Sequence, residues 1–148
     1  MEKVFEIYIR TSPSHLWAAI TDPEVTPRYN FGLALHSEWT PGSRLEMTAP
    51  QVEGILAEGE ILAAEVPRRL VHTVSLLWDS DVRAEGVSCV TWEIEPIEDT
   101  CRLTVVHNQM REGADEQLYA GWPMILSGLK TWLETGEVLT TPGSLAIS

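Results

Sequence analysis

The chain has 148 residues, 44% of them hydrophobic, and its 22 acidic against 10 basic side chains give a formal net charge of −12. This size and apolar content predict a single domain over 1–148, with an ordered core over about 3–139 and a surface tail over 140–148. The acidic balance argues against nucleic acid and anionic membrane surfaces as partners, and the absence of an apolar run of roughly 18 residues or a signal-like N-terminus predicts a cytoplasmic protein without a membrane span.

The N-terminal part of the chain predicts a strand followed by a short helix. Residues 3–10 alternate apolar and polar side chains, which is typical of a half-buried strand. Ser12 precedes Pro13, and this pair favours an N-cap and a first helical position, so we expect a helix over about 13–21. Residues 24–28 can add one further helical turn.

The middle of the chain predicts strands joined as hairpins, because alternating segments are separated by turn signals. The two cysteines, Cys89 and Cys101, fall in one hairpin at positions too far apart to bridge, so we expect two reduced thiols. The acidic segment 79–85 is expected to be a solvated loop. The six expected strands cover 33–39, 45–47, 55–61, 70–78, 90–95 and 102–107.

The last element is an amphipathic helix expected over about 114–135, with Gly136 as its C-terminal cap. Its apolar stripe recurs at steps of three and four residues. Pro123 interrupts the pattern, so we predict a kink or restart at 121–123. Gly128 lies at the edge of the stripe, where either close packing against the sheet or space for a ligand would explain a glycine. The stripe consists of Leu118, Trp122, Ile125, Leu129 and Trp132.

The order of these elements predicts an α+β fold. We expect a curved antiparallel sheet of about six to seven strands wrapped around the long C-terminal helix, with one or two short helices after the first strand. Seven strands are too wide for one helix to cover when flat, so the sheet should curl. Such a sheet tends to leave an apolar hollow against the helix, where small ligands bind.

Several motifs also carry a family resemblance, over nearly the whole chain from about residue 3 to residue 139. They are Ser12-Pro13 leading to Leu16-Trp17, Thr21-Asp22-Pro23, Phe31-Gly32, Trp-Thr-Pro-Gly-Ser at 39–43, Pro-Arg-Arg-Leu-Val-His-Thr at 67–73, Val-Thr-Trp-Glu-Ile-Glu-Pro at 90–96, Arg-Leu-Thr at 102–104, Gly-Trp-Pro at 121–123 and the run through Leu129-Lys130 to Leu133-Glu134-Thr135-Gly136. In this combination the chain resembles the SRPBCC (START-like) superfamily, and more narrowly its AHSA-like branch, named for an activator of a heat-shock-protein ATPase. The resemblance implies a helix-grip fold, a scaffold that hosts carriers, receptors, cyclases and resistance proteins.

Two histidines and several aromatic residues are the candidate site residues. Alternation places His72 and His107 on inward strand faces, where a histidine can orient a ligand or exchange a proton near neutral pH. Ordinary core histidines bonded to the backbone are the competing interpretation. Tryptophans turned inward can stack on a hydrophobic or planar ligand, or simply fill the core. The predicted ligand-binding set is His72, Trp78, Trp92, His107, Met110, Trp122 and Ile125.

No motif for catalysis, metal or cofactor binding is found. The four histidines lack the close spacing of a metal site. Residues 86–90 lack the second glycine of a hydrolase elbow, and no phosphate-cradling or dinucleotide loop is present. The acidic clusters 79–85 and 112–116 fit solvated loops and a helix N-terminus better than paired catalytic carboxylates. We therefore expect no cofactor and do not favour an enzyme.

The leading hypothesis is binding of a small hydrophobic or aromatic molecule between the curved sheet and the C-terminal helix. The alternative is a protein-interaction module, either chaperone-associated or homodimeric, with segments 29–33 and 139–147 as candidate apolar patches. A weaker alternative is an enzyme that uses a histidine of the hollow on a bound substrate.

Overall fold

The computed structural model describes residues 2–109 and 121–144. One antiparallel sheet of seven strands has the order β1-β7-β6-β5-β4-β3-β2. Its strands are β1 Lys3–Ile9, β2 Ala34–His36, β3 Arg44–Ala49, β4 Val52–Glu65, β5 Arg69–Leu76, β6 Val87–Ile97 and β7 Thr100–Asn108. The helices are α1 Pro13–Thr21, α2 Ser80–Arg83 and α3 Trp122–Thr135, with a 3-10 turn at Thr26–Arg28.

The sheet order follows from the hairpin sequence of the chain. Strands β2 to β7 run as a meander, each beside its predecessor, and β7 ends beside β1. The β1–β7 register runs from Lys3 opposite His107 to Ile9 opposite Cys101. The predicted α+β fold, with a seven-stranded sheet, a C-terminal helix and short helices after β1, is confirmed.

The inner face of the sheet and the apolar stripe of α3 form one core. Alternation along the strands turns side chains inward and outward in turn, as expected for a sheet with one dry face, with register shifts between Met47 and Ala49 on β3 and between Ile61 and Ala63 on β4. The most completely buried side chains come from β1, α1, β3 to β7 and α3. They include Ile9, Leu16, Ile20, Leu45, Ile61, Leu70, Val90, Leu103, Val105 and Leu129.

Helix α1 has the predicted bounds and the predicted cap. The Ser12 side chain accepts a hydrogen bond from the His15 backbone N–H at 3.2 Å, and Pro13 occupies the first turn, where its missing N–H is not needed. The predicted extra turn is the 3-10 turn Thr26–Arg28.

Helix α3 begins at Trp122, with Pro123 in its first turn. Proline is tolerated there because that N–H has no intrahelical acceptor, so the break predicted at 121–123 corresponds to a helix start. Residues 114–120 of the expected helix, including Leu118, lie outside the described residues. Gly136 ends the helix with a φ of +74°, the left-handed geometry predicted for its cap.

Gly128 packs closely against backbone, but against Tyr29 rather than the sheet. A Cβ atom on Gly128 would lie 3.0 Å from the Tyr29 Cβ and 3.3 Å from its Cα. Tyr29 is 2% exposed, and its hydroxyl donates to the Ala19 carbonyl at 2.8 Å. Burial raises the pKa of this hydroxyl. The segment 29–33, a candidate for an exposed apolar patch, does not form one, because Tyr29, Asn30 and Leu33 are buried.

The C-terminal half of α3 is joined to the edge strand β1 by polar contacts. Lys130 Nζ donates to the Tyr8 carbonyl at 2.7 Å, and the Arg10 N–H donates to Glu134 Oε2 at 2.8 Å. Lys130 and Glu134 also pair with each other at 2.7 Å. We name this set of contacts among Tyr8, Arg10, Lys130 and Glu134 the helix–edge latch.

The acidic segment 79–85 contains a short helix, so its assignment as a loop is wrong. Asp79 caps α2 by accepting from the Val82 N–H at 2.9 Å, and Val82 is 5% exposed. One carboxylate therefore acts as a helix cap, and the buried valine anchors the turn.

Both cysteines are buried and unbridged. Cys101 lies opposite Pro96 and Cys89 lies opposite Asn108, so the two thiols are far apart along the β6–β7 ladder, as expected. Burial raises the pKa of both thiols.

Among the described residues, no helix is long and apolar enough to cross a membrane.

Candidate functional site

Sheet register brings both candidate histidines to one row of the inner face. His72 on β5 lies opposite Val90 on β6, and Val90 lies opposite His107 on β7. Directly opposite residues share a face of the sheet, so the two histidines flank Val90. His72 is 3% exposed and His107 is 5% exposed. The predicted inward orientation of both is confirmed.

Each histidine is paired with a tryptophan. The Trp92 indole N–H donates to His72 Nε2 at 3.0 Å, within the sheet. The Trp122 indole N–H donates to His107 Nδ1 at 3.0 Å, from the first turn of α3 to β7. The second nitrogen of His72 lies 2.9 Å from the Thr73 carbonyl, and that of His107 lies 2.7 Å from Ser88 Oγ.

These contacts fix the tautomer of both rings. An indole N–H can only donate, so the nitrogen that it reaches must carry a lone pair. The proton of neutral His72 is therefore on Nδ1 and is donated to the Thr73 carbonyl. The proton of neutral His107 is on Nε2 and is donated to Ser88 Oγ.

Both rings are held neutral. Burial lowers the pKa of His72 to about 4, although its bond to Thr73 acts in the opposite direction. Burial lowers the pKa of His107 to about 4 as well, and the neighbouring His72 ring adds to the effect. Protonation of either ring would also remove the acceptor that its tryptophan needs.

Aromatic contacts join the two pairs into one cluster. Trp92 and Trp122 meet edge to face with their ring centroids 5.2 Å apart. The Phe5 ring on β1 lies tilted beside the Trp122 ring, with the two centroids 6.3 Å apart. Each of these pairs adds stabilisation beyond its buried area. The histidines do not bond to each other, and their connection runs through the two indoles. The aromatic–histidine cluster consists of Phe5, His72, Ser88, Trp92, His107 and Trp122.

The other predicted site residues have separate positions. Trp78 lies beyond the end of β5 and is half-buried against the core. Ile125, one turn after Trp122, is buried in the core. Met110 lies outside the described residues.

Phe5 and Ser88 are cluster members that the sequence prediction lacked. The period-two pattern of β6 could have assigned Ser88 to the inner face, because it precedes Val90 and Trp92 at two-residue steps. Its pairing with His107 depends on the β6–β7 register, which the pattern of one strand does not give.

The Ser88–His107 pair has the spacing of a nucleophile and its base, but its hydrogen bond runs in the opposite direction, from the histidine to the serine. In a hydrolytic triad, the far nitrogen of the histidine donates to a carboxylate, which leaves the near nitrogen free to take the serine proton. In this chain, Trp122 donates to the far nitrogen, so the near nitrogen carries a proton already. The geometry suits fixed hydrogen bonding and not activation of a nucleophile.

Other described parts of the molecule show no metal site and one charged pocket. No group of three or more potential metal ligands occurs among the described residues. A pocket of about 300 Å³ lies on the outer face of the sheet, with ion pairs Arg69–Glu65 and Arg102–Glu95 in its lining. The complete lining is Glu65, Arg68, Arg69, Glu93, Ile94, Glu95, Arg102 and Thr104.

Several solved structures have the same architecture. The protein MLL2253 from Mesorhizobium loti is 22% identical, with a TM-score of 0.76, over 93% of this chain and 100% of its own. The Aha1 dimer from Colwellia psychrerythraea is 15% identical, with a TM-score of 0.73, over 93% and 98%. The HSP90 activator PFC0360w from Plasmodium falciparum is 19% identical, with a TM-score of 0.72, over 90% and 96%.

Sequence comparison gives a family. No curated protein matches the chain. A family model described as "Activator of Hsp90 ATPase homolog 1-like protein" matches residues 10–134, which is most of the chain. The chain therefore belongs to the AHSA1 family, within the AHSA-like branch of the SRPBCC superfamily.

Proposed function

We propose that this protein binds a small hydrophobic or aromatic molecule between the sheet and α3, beside the aromatic–histidine cluster. The observation that carries the proposal is a set of buried polar side chains in an otherwise apolar interface. His72, Ser88 and His107 are each no more than 5% exposed. Replacing hydrogen-bonded partners of this kind by apolar groups of the same shape is close to neutral for stability, so packing alone does not require them.

The pairing of each indole with a histidine also supports the proposal. The polar atom of each tryptophan is bonded within the protein, and its ring is held at a fixed angle by that bond. Oriented aromatic rings bind apolar ligands at little cost in side-chain entropy, because their rotamers are already fixed.

A ligand titration tests the proposal. Fatty acids, aromatic polyketides and naphthalene derivatives are added to the intact protein while tryptophan fluorescence and melting temperature are followed. A ligand that binds only the folded state at about 100 times its Kd stabilises the fold by about 2.7 kcal/mol. We expect at least one class to raise the melting temperature. No shift across all three classes would contradict the proposal.

A matched pair of variants locates the binding. Trp122→Phe removes the indole N–H from the cluster and should weaken binding. Trp132→Phe is the control on the same helix, because Trp132 lies outside the cluster with the Arg28 guanidinium 4.5 Å over its ring. Equal effects of the two substitutions on affinity would place the ligand elsewhere.

Protein interaction is the second candidate function, and two observations favour it. The similar folds include a protein described as an Aha1 dimer and another described as an HSP90 activator. Several large apolar side chains are exposed, among them Val66 at 65%, Val4 at 58% and Tyr8 at 49%.

Light scattering over a range of concentrations, and calorimetric titration against purified Hsp90, test this second function. A concentration-dependent dimer or a saturable heat of Hsp90 binding would support it. A monomer that gives no heat with Hsp90 would exclude both forms of it.

A further inference from the structure

Ser88 belongs to the buried polar set through its bond to His107, and its position follows from the sheet register. It is opposite Val74 on β5 and two residues before Val90, so its side chain is on the inner face. The residue is 4% exposed. Its hydroxyl oxygen lies 2.7 Å from His107 Nε2.

Counting protons determines the direction of the Ser88–His107 bond. Trp122 occupies the lone pair of His107 Nδ1 at 3.0 Å, and a neutral imidazole carries one proton. That proton is on Nε2, so His107 donates and Ser88 accepts. The hydrogen of the Ser88 hydroxyl is consequently not used in this bond.

Within residues 2–109 and 121–144, no acceptor for this hydroxyl hydrogen is found. A buried donor without an acceptor is unfavourable, and native proteins rarely leave one unless a ligand or a water completes it. The donor faces the same side of the sheet as Trp92, the face on which the proposed ligand lies.

We infer that the Ser88 hydroxyl donates a hydrogen bond to the bound molecule, so that the ligand class is apolar compounds carrying an oxygen acceptor, such as aromatic ketones. This inference rests on the proposed function and names its specificity-determining residue. His107 acts on the ligand only through Ser88: its Nε2–H occupies the serine oxygen and turns the serine hydrogen toward the ligand.

The test uses two ligands of matched size, 1-acetylnaphthalene and 1-ethylnaphthalene, with the full chain and Ser88→Ala. Affinities are measured by tryptophan fluorescence titration. We expect Ser88→Ala to weaken binding of the ketone by about tenfold and to leave binding of the hydrocarbon unchanged, since one hydrogen bond is lost in the first case only. Ser75→Ala is the control, because Ser75 is on β5 opposite Val87 and faces the outer surface.

The outcomes separate the inference from the proposed function. A ketone-to-hydrocarbon affinity ratio that is unchanged in Ser88→Ala would overturn the inference, while the binding itself would uphold the proposed function. Failure of both ligands to bind the unmodified protein would overturn the inference, and the titration with all three ligand classes would then decide the proposed function separately.

A spectroscopic measurement covers the case in which Ser88→Ala does not fold. The carbonyl stretching band of 1-acetylnaphthalene is recorded when the ketone is bound to the unmodified protein. A band below its frequency in acetonitrile, a polar solvent that donates no strong hydrogen bond, supports a donated hydrogen bond, and a band at or above that frequency overturns the inference.

Discussion

At the scale of single residues, the two histidines behave unlike the proton-exchanging groups that the sequence allowed. Each ring accepts from an indole and donates to an oxygen, so both nitrogens are occupied by fixed partners. Such a ring orients its neighbours, but it has no free position for a proton from a substrate. The weaker hypothesis of an enzyme that uses one of these histidines as a base loses its chemical support.

The lowered pKa of His72 makes stability depend on pH. In the unfolded chain a histidine takes up a proton near pH 6.5, whereas in the fold His72 does so only near pH 4. Between these values the unfolded state binds more protons, so stability falls as the pH is lowered. Linkage gives a loss of about 2 kcal/mol by pH 5 for this one group. We expect denaturant unfolding at pH 7, 6 and 5 to show this decrease.

Substitution of His72 tests whether this residue causes the loss of stability at low pH. His72→Gln removes the ring that bonds to Trp92 and Thr73, so this variant should be less stable at pH 7. Because glutamine cannot gain a proton, the variant should lose less stability between pH 7 and pH 5 than the unmodified protein. His15→Gln, at an exposed position of α1, is the matched control. An equal slope for all three proteins would mean that other groups cause the pH dependence.

At the scale of elements, periodicity predicted the faces but not the neighbours. Alternation placed His72, Trp92 and His107 inward, and the cap at Ser12 gave the start of α1 correctly. The side-chain hydrogen bonds between cluster members join residues 15 to 20 positions apart on different elements. Strand register sets those contacts, and the pattern within each strand does not encode it.

Gly128 is a second case in which the sequence pattern did not identify the neighbouring residue. The sequence indicated a tight contact or a space at this position, and it gave no sign that Tyr29 would fill it. The tyrosine side chain is anchored by its bond to Ala19, so the backbone near Gly128 has little freedom to retreat.

Gly128→Ala should therefore be destabilising. Alanine gains about 1 kcal/mol in helix propensity, but overpacking against Tyr29 costs about 1–3 kcal/mol. We expect a net loss of about 1 kcal/mol in the free energy of unfolding, measured with urea. Ser127→Ala, exposed on the same helix, is the control and should change stability by less than about 0.5 kcal/mol. A more stable Gly128→Ala protein would contradict this expectation and would mean that the segment around Tyr29 shifts to make room for the added methyl group.

At the scale of the whole molecule, composition and element order were enough for the architecture. Seven strands, their antiparallel pairing and the C-terminal helix agree with expectation, because a hairpin sequence leaves few other ways to bury one long amphipathic helix. Ser88 and Phe5 were missed, since their roles exist only once β1, β6 and β7 are assembled side by side.

The net charge of −12 predicts a salt effect on the whole molecule. Excess like charge opposes the compact state, and salt screens it. Raising sodium chloride from about 0.02 M to about 0.2 M shortens the screening distance, so the melting temperature should rise by a few degrees in scanning calorimetry. Choline chloride at equal ionic strength should have the same effect if screening is the cause. A decrease would mean that surface ion pairs outweigh the repulsion.

The helix–edge latch also bears on how copies of this protein avoid each other. Strand β1 is an outer strand of the sheet, and such a strand offers unpaired backbone groups on which another chain can extend the sheet. Lys130 occupies the Tyr8 carbonyl and Glu134 occupies the Arg10 N–H. A second polypeptide approaching this end of β1 would meet two charged side chains in the place of its hydrogen-bonding partners, so the latch protects the molecule against edge-to-edge aggregation.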